Sequence, residues 1–403
     1  NALPEGGHGY HVEATDVAGN SVSVENQLLT IDISPPVLSS LDNGLDASSD
    51  SGSSNSDGTT NDAQPTFSGH SEKNVYIEVL IGGNTYSTTT NDQGEWDVDV
   101  INILAHGIQN YTISAFDAAG NQTDLSNSIT VDTQAELTSR LATASDSGSS
   151  DSDAITNIDT PTIEGTAGVG DQITLRIGVG TNAQVLTTQT DELGNWSIDV
   201  PSPLVNGIHS YTVTGLDTAG NEITVSNTVK VDTIAPSPFT GGLSASSDSG
   251  EFNNDNVTNI NTPVFSGTAE SGSVVELNIA GQSYSVVATP DGWSLTLEEA
   301  LIDGPHDYII TATDTAGNQA DIEGSIDIDT APPLLIGGLQ SDLDNDTGIS
   351  QTDNITNNNQ PVFSGRSEAD TIVTLSISGV VQGRATTDNG GNWSINTSAA
   401  LAD

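Results

Sequence analysis

The chain is predicted to be all-β, a tandem array of antiparallel β-sandwiches of about 100 residues each. Three observations predict it. The phrase Asp-x-Ala-Gly-Asn begins at Asp16, Asp117, Asp217 and Asp314, a fixed step that marks a repeat architecture. Short segments rich in apolar and β-branched residues, such as those starting at Val75, Tyr111 and Ser128, are separated by clusters of Gly, Asn and Asp, the pattern of strands and turns. No long segment carries a 3.6-residue apolar period between plausible caps, so helices should be nearly absent.

Within a repeat the marks come in a constant order. Asp32, Asp132, Asp232 and Asp329 close the last strand of a unit, just before Pro35, Ala135, Pro236 and Pro332. An Asp-Ser/Thr-Gly phrase then opens at Asp50, Asp146, Asp248 and Asp346, and a second acid follows at Asp57, Asp153, Asp255 and Asp353. A Thr-Asn pair ends this loop at Asn61, Asn157, Asn259 and Asn357. A strand with Pro65, Pro161, Pro263 or Pro361 at its start comes next, with glycine four residues beyond the proline. Trp96, Trp196, Trp293 and Trp393 fall late in the units, followed by Tyr111, Tyr211 and Tyr308, with Tyr10 as the remnant of an earlier unit.

The expected boundaries are 1–33 for the C-terminal part of one repeat, then 34–133, 134–233 and 234–330 for complete repeats, and 331–403 for the N-terminal part of another. The chain therefore reads as a window on a longer array. About seven short strands per unit make a sandwich, with a modest core anchored by its Trp and Tyr. A periodic Trp on a strand reads as a core anchor rather than a sugar-stacking platform, and Tyr111 as a candidate tyrosine corner.

Charge narrows the function. Against 55 Asp and Glu stand only 6 Lys and Arg, a net charge of -49, so a nucleic-acid partner is excluded because counterion release needs clustered bases. Anionic membrane surfaces repel such a chain, and no segment is apolar enough for membrane insertion or a signal-peptide core. With no cysteine there is no disulfide, thiolate metal site or thiol nucleophile. His8, His209 and His306 are scattered along the repeats rather than grouped as zinc ligands. No nucleophile elbow or phosphate loop appears, and an enzyme rarely needs one constellation in every repeat, so the chain reads as no enzyme.

The run Leu45-Asp-Ala-Ser-Ser-Asp-Ser-Gly through Asn61, then Pro65-Thr-Phe-Ser-Gly69, then Ala115-Phe-Asp-Ala-Ala-Gly-Asn121 with Val131-Asp-Thr133, resembles the bacterial Ig-like extender repeats of giant surface adhesins of Gram-negative bacteria. These are exported by type I systems and grouped with the RTX adhesins. The likeness covers the whole chain. It implies tandem Ig-like domains end to end, calcium at or near the junctions, and a secreted, extracellular or cell-surface stalk. Two departures stand out: the calcium-binding nonapeptide of RTX β-rolls is absent, and Gly168 replaces the glutamate found at Glu72, Glu270 and Glu368.

The acidic junctions carry the chemistry by themselves. Calcium takes six to eight oxygens from carboxylates, carbonyls and water, and a loop such as Asp50–Asp57 offers these around a glycine that permits a tight bend. The candidate ligands are Asp50, Asp57 and Asn61 with their equivalents Asp146, Asp153, Asn157, Asp248, Asp255, Asn259, Asp346, Asp353 and Asn357. The strand-end acids Asp32, Asp132, Asp232 and Asp329 join them, as do the hairpin-tip acids Asp16, Asp117, Asp217 and Asp314. The tips are expected at the same end of the sandwich as the Asp50-type loop, and no Lys or Arg is expected nearby. Two plainer readings stand beside this one. The loops serve as solvated linkers with Asx-turns, or the tip acid merely caps its turn.

The leading functional reading is a structural extender of a secreted adhesin, stiffened by calcium and presenting a distal binding domain for adhesion and biofilm formation. Its partners would be neighbouring repeats of the same chain and calcium ions, with lateral self-association left open. Alternative readings are a carbohydrate- or self-binding Ig-like module and an accessory region of a secreted depolymerase.

Overall fold

The computed structural model describes residues 2–178, 183–250 and 252–401. Among the described residues every regular element is a strand, and no helix is long and apolar enough to cross a membrane. The chain forms two compact units, 1–236 with 313–319, and 237–312 with 320–403.

The first unit opens with a hairpin of β1 (Gly6–Thr15) and β2 (Ser21–Ile31). A complete sandwich follows, built from β3 (Ser39–Leu45), β4 (Thr59–Thr60), β5 (Thr66–His70), β6 (Tyr76–Ile81), β7 (Asn84–Thr89), β8 (Glu95–Asp99), β9 (Gly107–Phe116) and β10 (Gln122–Val131). One sheet has the order β3-β5-β8 and the other β4-β10-β9-β6-β7. The pairings are antiparallel save one: β4 runs parallel to β10, Thr59 beside Thr130 and Thr60 beside Val131. That pairing ties the acidic loop between β3 and β4 to the strand ending at Asp132, whose N–H donates to Thr60 O at 2.8 Å.

Alternation explains the layers. In β6 every second residue, Ile77, Val79 and Ile81, is buried, and in β8 the buried pair is Trp96 and Val98, as the period of two of a strand requires. These side chains meet Phe67, Tyr111, Ile113, Ile129 and Val131 between the sheets. Each fully buried aliphatic side chain contributes roughly 1.5–3 kcal/mol. The second sandwich of this unit repeats the plan, its two sheets bringing Ile163 and Trp196 against Ile173, Leu175, Tyr211 and Val213.

In the other unit a third sandwich repeats it again around Phe265, Leu277, Trp293, Tyr308 and Ile310. It is followed by a three-stranded sheet and the hairpin of Ile372–Ile377 with Val380–Thr386, around Val373, Trp393 and Ile395. All four tryptophans are buried, so they anchor cores and present no stacking face. The Tyr111 hydroxyl reaches Asn127 on the neighbouring strand, and burial pushes its ionisation up to about 12.

Candidate functional site: loops, tips and strand ends at the junctions

The Asp-Ser/Thr-Gly loop has one geometry in every repeat. The first acid accepts at Oδ2 from the backbone eight residues on: Asp50 from Gly58 at 3.0 Å, Asp146 from Ala154 at 3.1 Å, Asp248 from Asn256 at 3.1 Å and Asp346 from Asn354 at 3.2 Å. The donor residue has a positive φ in each case, 77° at Gly58 and 60° at Ala154, which closes the loop on the carboxylate. The second acid caps its own turn: Asp57 Oδ1 accepts from Thr59 N at 2.9 Å and Asp153 Oδ1 from Ile155 N at 3.0 Å. The hydroxyl after the first acid accepts from the Thr-Asn pair, Ser51 from Asn61 N at 2.7 Å and Ser147 from Asn157 N at 2.8 Å. Asn61 and its equivalents therefore hold the loop through their backbone.

The other oxygen of the first acid is the unusual one. Oδ1 of Asp146, Asp248 and Asp346 is buried and receives no hydrogen bond, in side chains only 8%, 6% and 1% exposed. A buried carboxylate oxygen without a donor is costly. Burial pushes the Asp146 carboxyl up against the pull of Ala154 N, and the charge of Asp153 beside it pushes the same way. Two adjoining acids with an unsatisfied oxygen and hard oxygen donors around them fit an alkaline-earth cation. Among the described residues, however, no three His, Asp or Glu side chains stand close enough together to hold a metal ion by side chains alone. Backbone carbonyls, hydroxyls and water would have to complete any such shell.

The hairpin tips are built differently. Asp117 Oδ1 accepts from Ala119 N at 2.8 Å and Asn121 N at 2.9 Å, and Oδ2 accepts from Asn121 Nδ2 at 2.7 Å. These bonds, the Asn121 side chain foremost, hold its carboxyl below the usual range. The tip asparagine also donates to the strand-end residue of the preceding repeat: Asn121 to Asp32 O at 3.2 Å, Asn221 to Asp132 O at 2.9 Å, and Asn318 to Asp232 O at 2.7 Å.

The expected placement of the tips needs correction. A tip does not share an end of its sandwich with that sandwich's own Asp50-type loop. The loop lies beside the last strand's C-terminal end through β4, whereas the tip joining β9 to β10 lies at the other end of those strands. The tip starting at Asp217 thus meets the loop of the repeat before it: Ser51 Oγ donates to Ala219 O at 2.6 Å and Ser53 N to Thr218 O at 3.1 Å. Residues 313–319, part of the same compact unit, repeat this with Ser147 Oγ donating to Ala316 O at 2.5 Å.

Strand-end acids lie beside these contacts. Asp132, Glu136, Gly168, Asp171, Asp217 and Thr218 line one cleft with His106. Bases are present after all: Lys230 Nζ stands 3.5 Å from Asp232 Oδ2, and His106 Nδ1 3.5 Å from Asp132 Oδ1.

Asp171 escaped the sequence reading. Burial pushes its carboxyl up, and the charges of Asp217 and Asp132 push further. Its Oδ2 accepts from Gly168 N at 2.8 Å, and a Cβ at Gly168 would lie 2.9 Å from its oxygens. The carboxylate therefore returns to the place from which Glu72, Glu270 and Glu368 depart in the other repeats. The signal was an acid three residues after the missing glutamate, in a register position where Val75 and Ser273 stand. The scattered histidines bond locally, as His209 Nε2 with Val205 O at 2.6 Å and His306 Nε2 with Ile302 O at 2.7 Å.

The profile of the bacterial Ig-like domain matches residues 37–133, 134–233, 235–330 and 336–403. Among solved structures, the chain is similar to one concerned with host cell surface retention of a 1.5-MDa bacterial ice-binding adhesin, at 24% identity over 74% of this chain and 100% of that one, TM-score 0.33. It is similar to a tetra-tandem repeat from the extending region of a large adhesion protein, at 20% identity over 85% of this chain and 89% of that one, TM-score 0.27. A Ca2+-stabilized adhesin with which an Antarctic bacterium binds ice is 24% identical, over 91% of each chain, TM-score 0.28. No curated protein matches. Four matched segments cover most of the sequence, and the chain belongs to the bacterial Ig-like domain family.

Proposed function

We propose that this chain is a spacer of a secreted bacterial surface adhesin, stiffened at its junctions by calcium so that a distal domain is held away from the cell for adhesion and biofilm formation. The observation that carries the reading is the recurrence of a buried, donor-less carboxylate oxygen at Asp146, Asp248 and Asp346, each in the loop geometry described above. Calcium at extracellular, millimolar levels fills even weak oxygen sites of roughly 10⁻⁴–10⁻³ M. Asp50, Asp146, Asp248 and Asp346 would supply the inner carboxylate, and Asp57, Asp153, Asp255 and Asp353 the adjoining one. The cation would neutralise the charges and satisfy the orphaned oxygen.

The test is small-angle scattering with parallel thermal melts of the 403-residue chain, in millimolar calcium and in chelator. Calcium should raise the melting temperature and stiffen the particle, and Asp146→Ala with Asp248→Ala should remove part of both responses. Scattering and melts that ignore calcium would leave the loops as plain linkers.

A further inference from the structure

The acidic loop has two working faces. Its inner face holds the carboxylates: Asp146 Oδ2 is bonded to Ala154 N, Oδ1 is buried without a donor, and the charge of Asp153 stands beside it. Its outer face is uncharged. There Ser51 and Ser147 donate to the Ala219 and Ala316 carbonyls, and the glycines that follow them lie directly under a carbonyl of the tip. A Cβ at Gly52 would stand 2.0 Å from Thr218 O, and one at Gly148 2.2 Å from Thr315 O. The loop glycine is thus a notch that any side chain would fill.

The tip alanine is the matching plug. Ala219 and Ala316 have no exposed surface, whereas Ala18 and Ala119, in the same phrase but with no loop packed on them among the described residues, are exposed. At Gly250 and Gly348, with no tip in the notch, the Cβ position is open, with nothing within 4 Å. Burial of the alanine and filling of the notch therefore go together within one chain. Asp146, its Oδ2 bonded to Ala154 N and its Oδ1 without a donor, makes no hydrogen bond to the tip, and the tip acid Asp217 spends both oxygens on Asn221.

Resting on the calcium reading above, we propose that the cation acts from inside the loop. It fixes the Asp-Ser-Gly turn in the shape that receives the Thr-Ala-Gly tip of the next repeat, and docking itself is done by uncharged backbone and hydroxyl groups. The loop ion is then a regulator of docking and not a bridge between domains. It binds whether or not the tip is seated, whereas the tip seats firmly only when the ion is present.

The experiment uses the full chain, which has no cysteine, so labels can be placed singly. Spin labels at Ser87→Cys and Thr187→Cys, both exposed strand positions, report the distance between the first two sandwiches, and calorimetric titration with calcium alone counts ions. In the parent chain calcium should narrow a broad distance distribution. Ala219→Leu enlarges the plug without touching the loop: the distribution should stay broad in calcium, while ion number is unchanged and affinity stays within about threefold. Asp50→Ala should lose an ion and the narrowing together.

A chain with Ala219→Leu that loses an ion as well as the narrowing would overturn the proposal in favour of a bridging ion. One that still narrows fully would overturn the notch as the seat of docking. A parent chain that binds no calcium at all would defeat the calcium reading itself, a result separate from either of these.

Discussion

Asp191 shows how little a single residue needs in order to hold a turn. Its Oδ1 accepts from Leu193 N and Asn195 N, both at 2.8 Å, and these bonds, that from Asn195 first, hold its carboxyl below the ordinary 3.8. A carboxyl lowered in the folded state stabilises the fold above its unfolded value, and that contribution is lost as pH falls through the folded one. Asp191→Ala should therefore melt lower than the parent at pH 7, and the gap should close as melts are taken below pH 3.8. A gap that persists in acid would mean that the carboxylate is not what holds this turn. Asp171 makes the opposite point about legibility. Alignment by position places it beside Val75 and Ser273, so sequence alone gave no reason to connect it with a glutamate three residues earlier. Only the backbone path, through Gly168 N, brings the two positions to one place.

At the scale of strands and turns, most of the architecture was readable because β-residues alternate. Ile77, Val79 and Ile81 face inward while Leu80 faces out, because successive strand side chains point to opposite faces, and the tryptophan that follows each turn finds its space above a glycine. A Cβ at Gly69 would meet Trp96 at 2.7 Å, one at Gly165 would meet Trp196 at 2.8 Å, and one at Gly267 would meet Thr240 O at 1.9 Å, so the glycine four residues past these prolines leaves room for the ring or for the neighbouring strand's backbone. The end of the sandwich to which a tip points was not readable. It depends on β4 joining the far side of β10, a two-residue parallel pairing with no periodic signature. The hairpin of β9 and β10 also places Tyr111 opposite Asn127, with Phe67 edge-on at 4.8 Å between ring centres. In a spectrophotometric titration, Tyr111→Phe should remove an ionisation near 12 and leave the rest of the profile unchanged. Loss of a component near 10 instead would place this phenol in water.

For the molecule as a whole, four separate core clusters among the described residues mean separately addressable stabilities. Trp196 belongs to one of them and to none of the other three, so Trp196→Ala should cost its own sandwich about 3–5 kcal/mol. Calorimetry should then show one transition moved to lower temperature and the others nearly in place, as nearest-neighbour arrays behave. A uniform shift of the whole profile would show that the sandwiches unfold as one.

The notch and the tip occupy opposite ends of one repeat, so the loop–tip contacts at Ser51 and Ser147 each join unlike surfaces, and the contact is heterologous. Such a unit has a polarity, like a brick with one stud and one socket. Deleting or duplicating a stretch of about one period, wherever the cut falls, rejoins a chain in which each stud still meets a socket. Recombination between copies in register could therefore lengthen or shorten the array without a new interface having to evolve, leaving copy number free to be selected for reach alone.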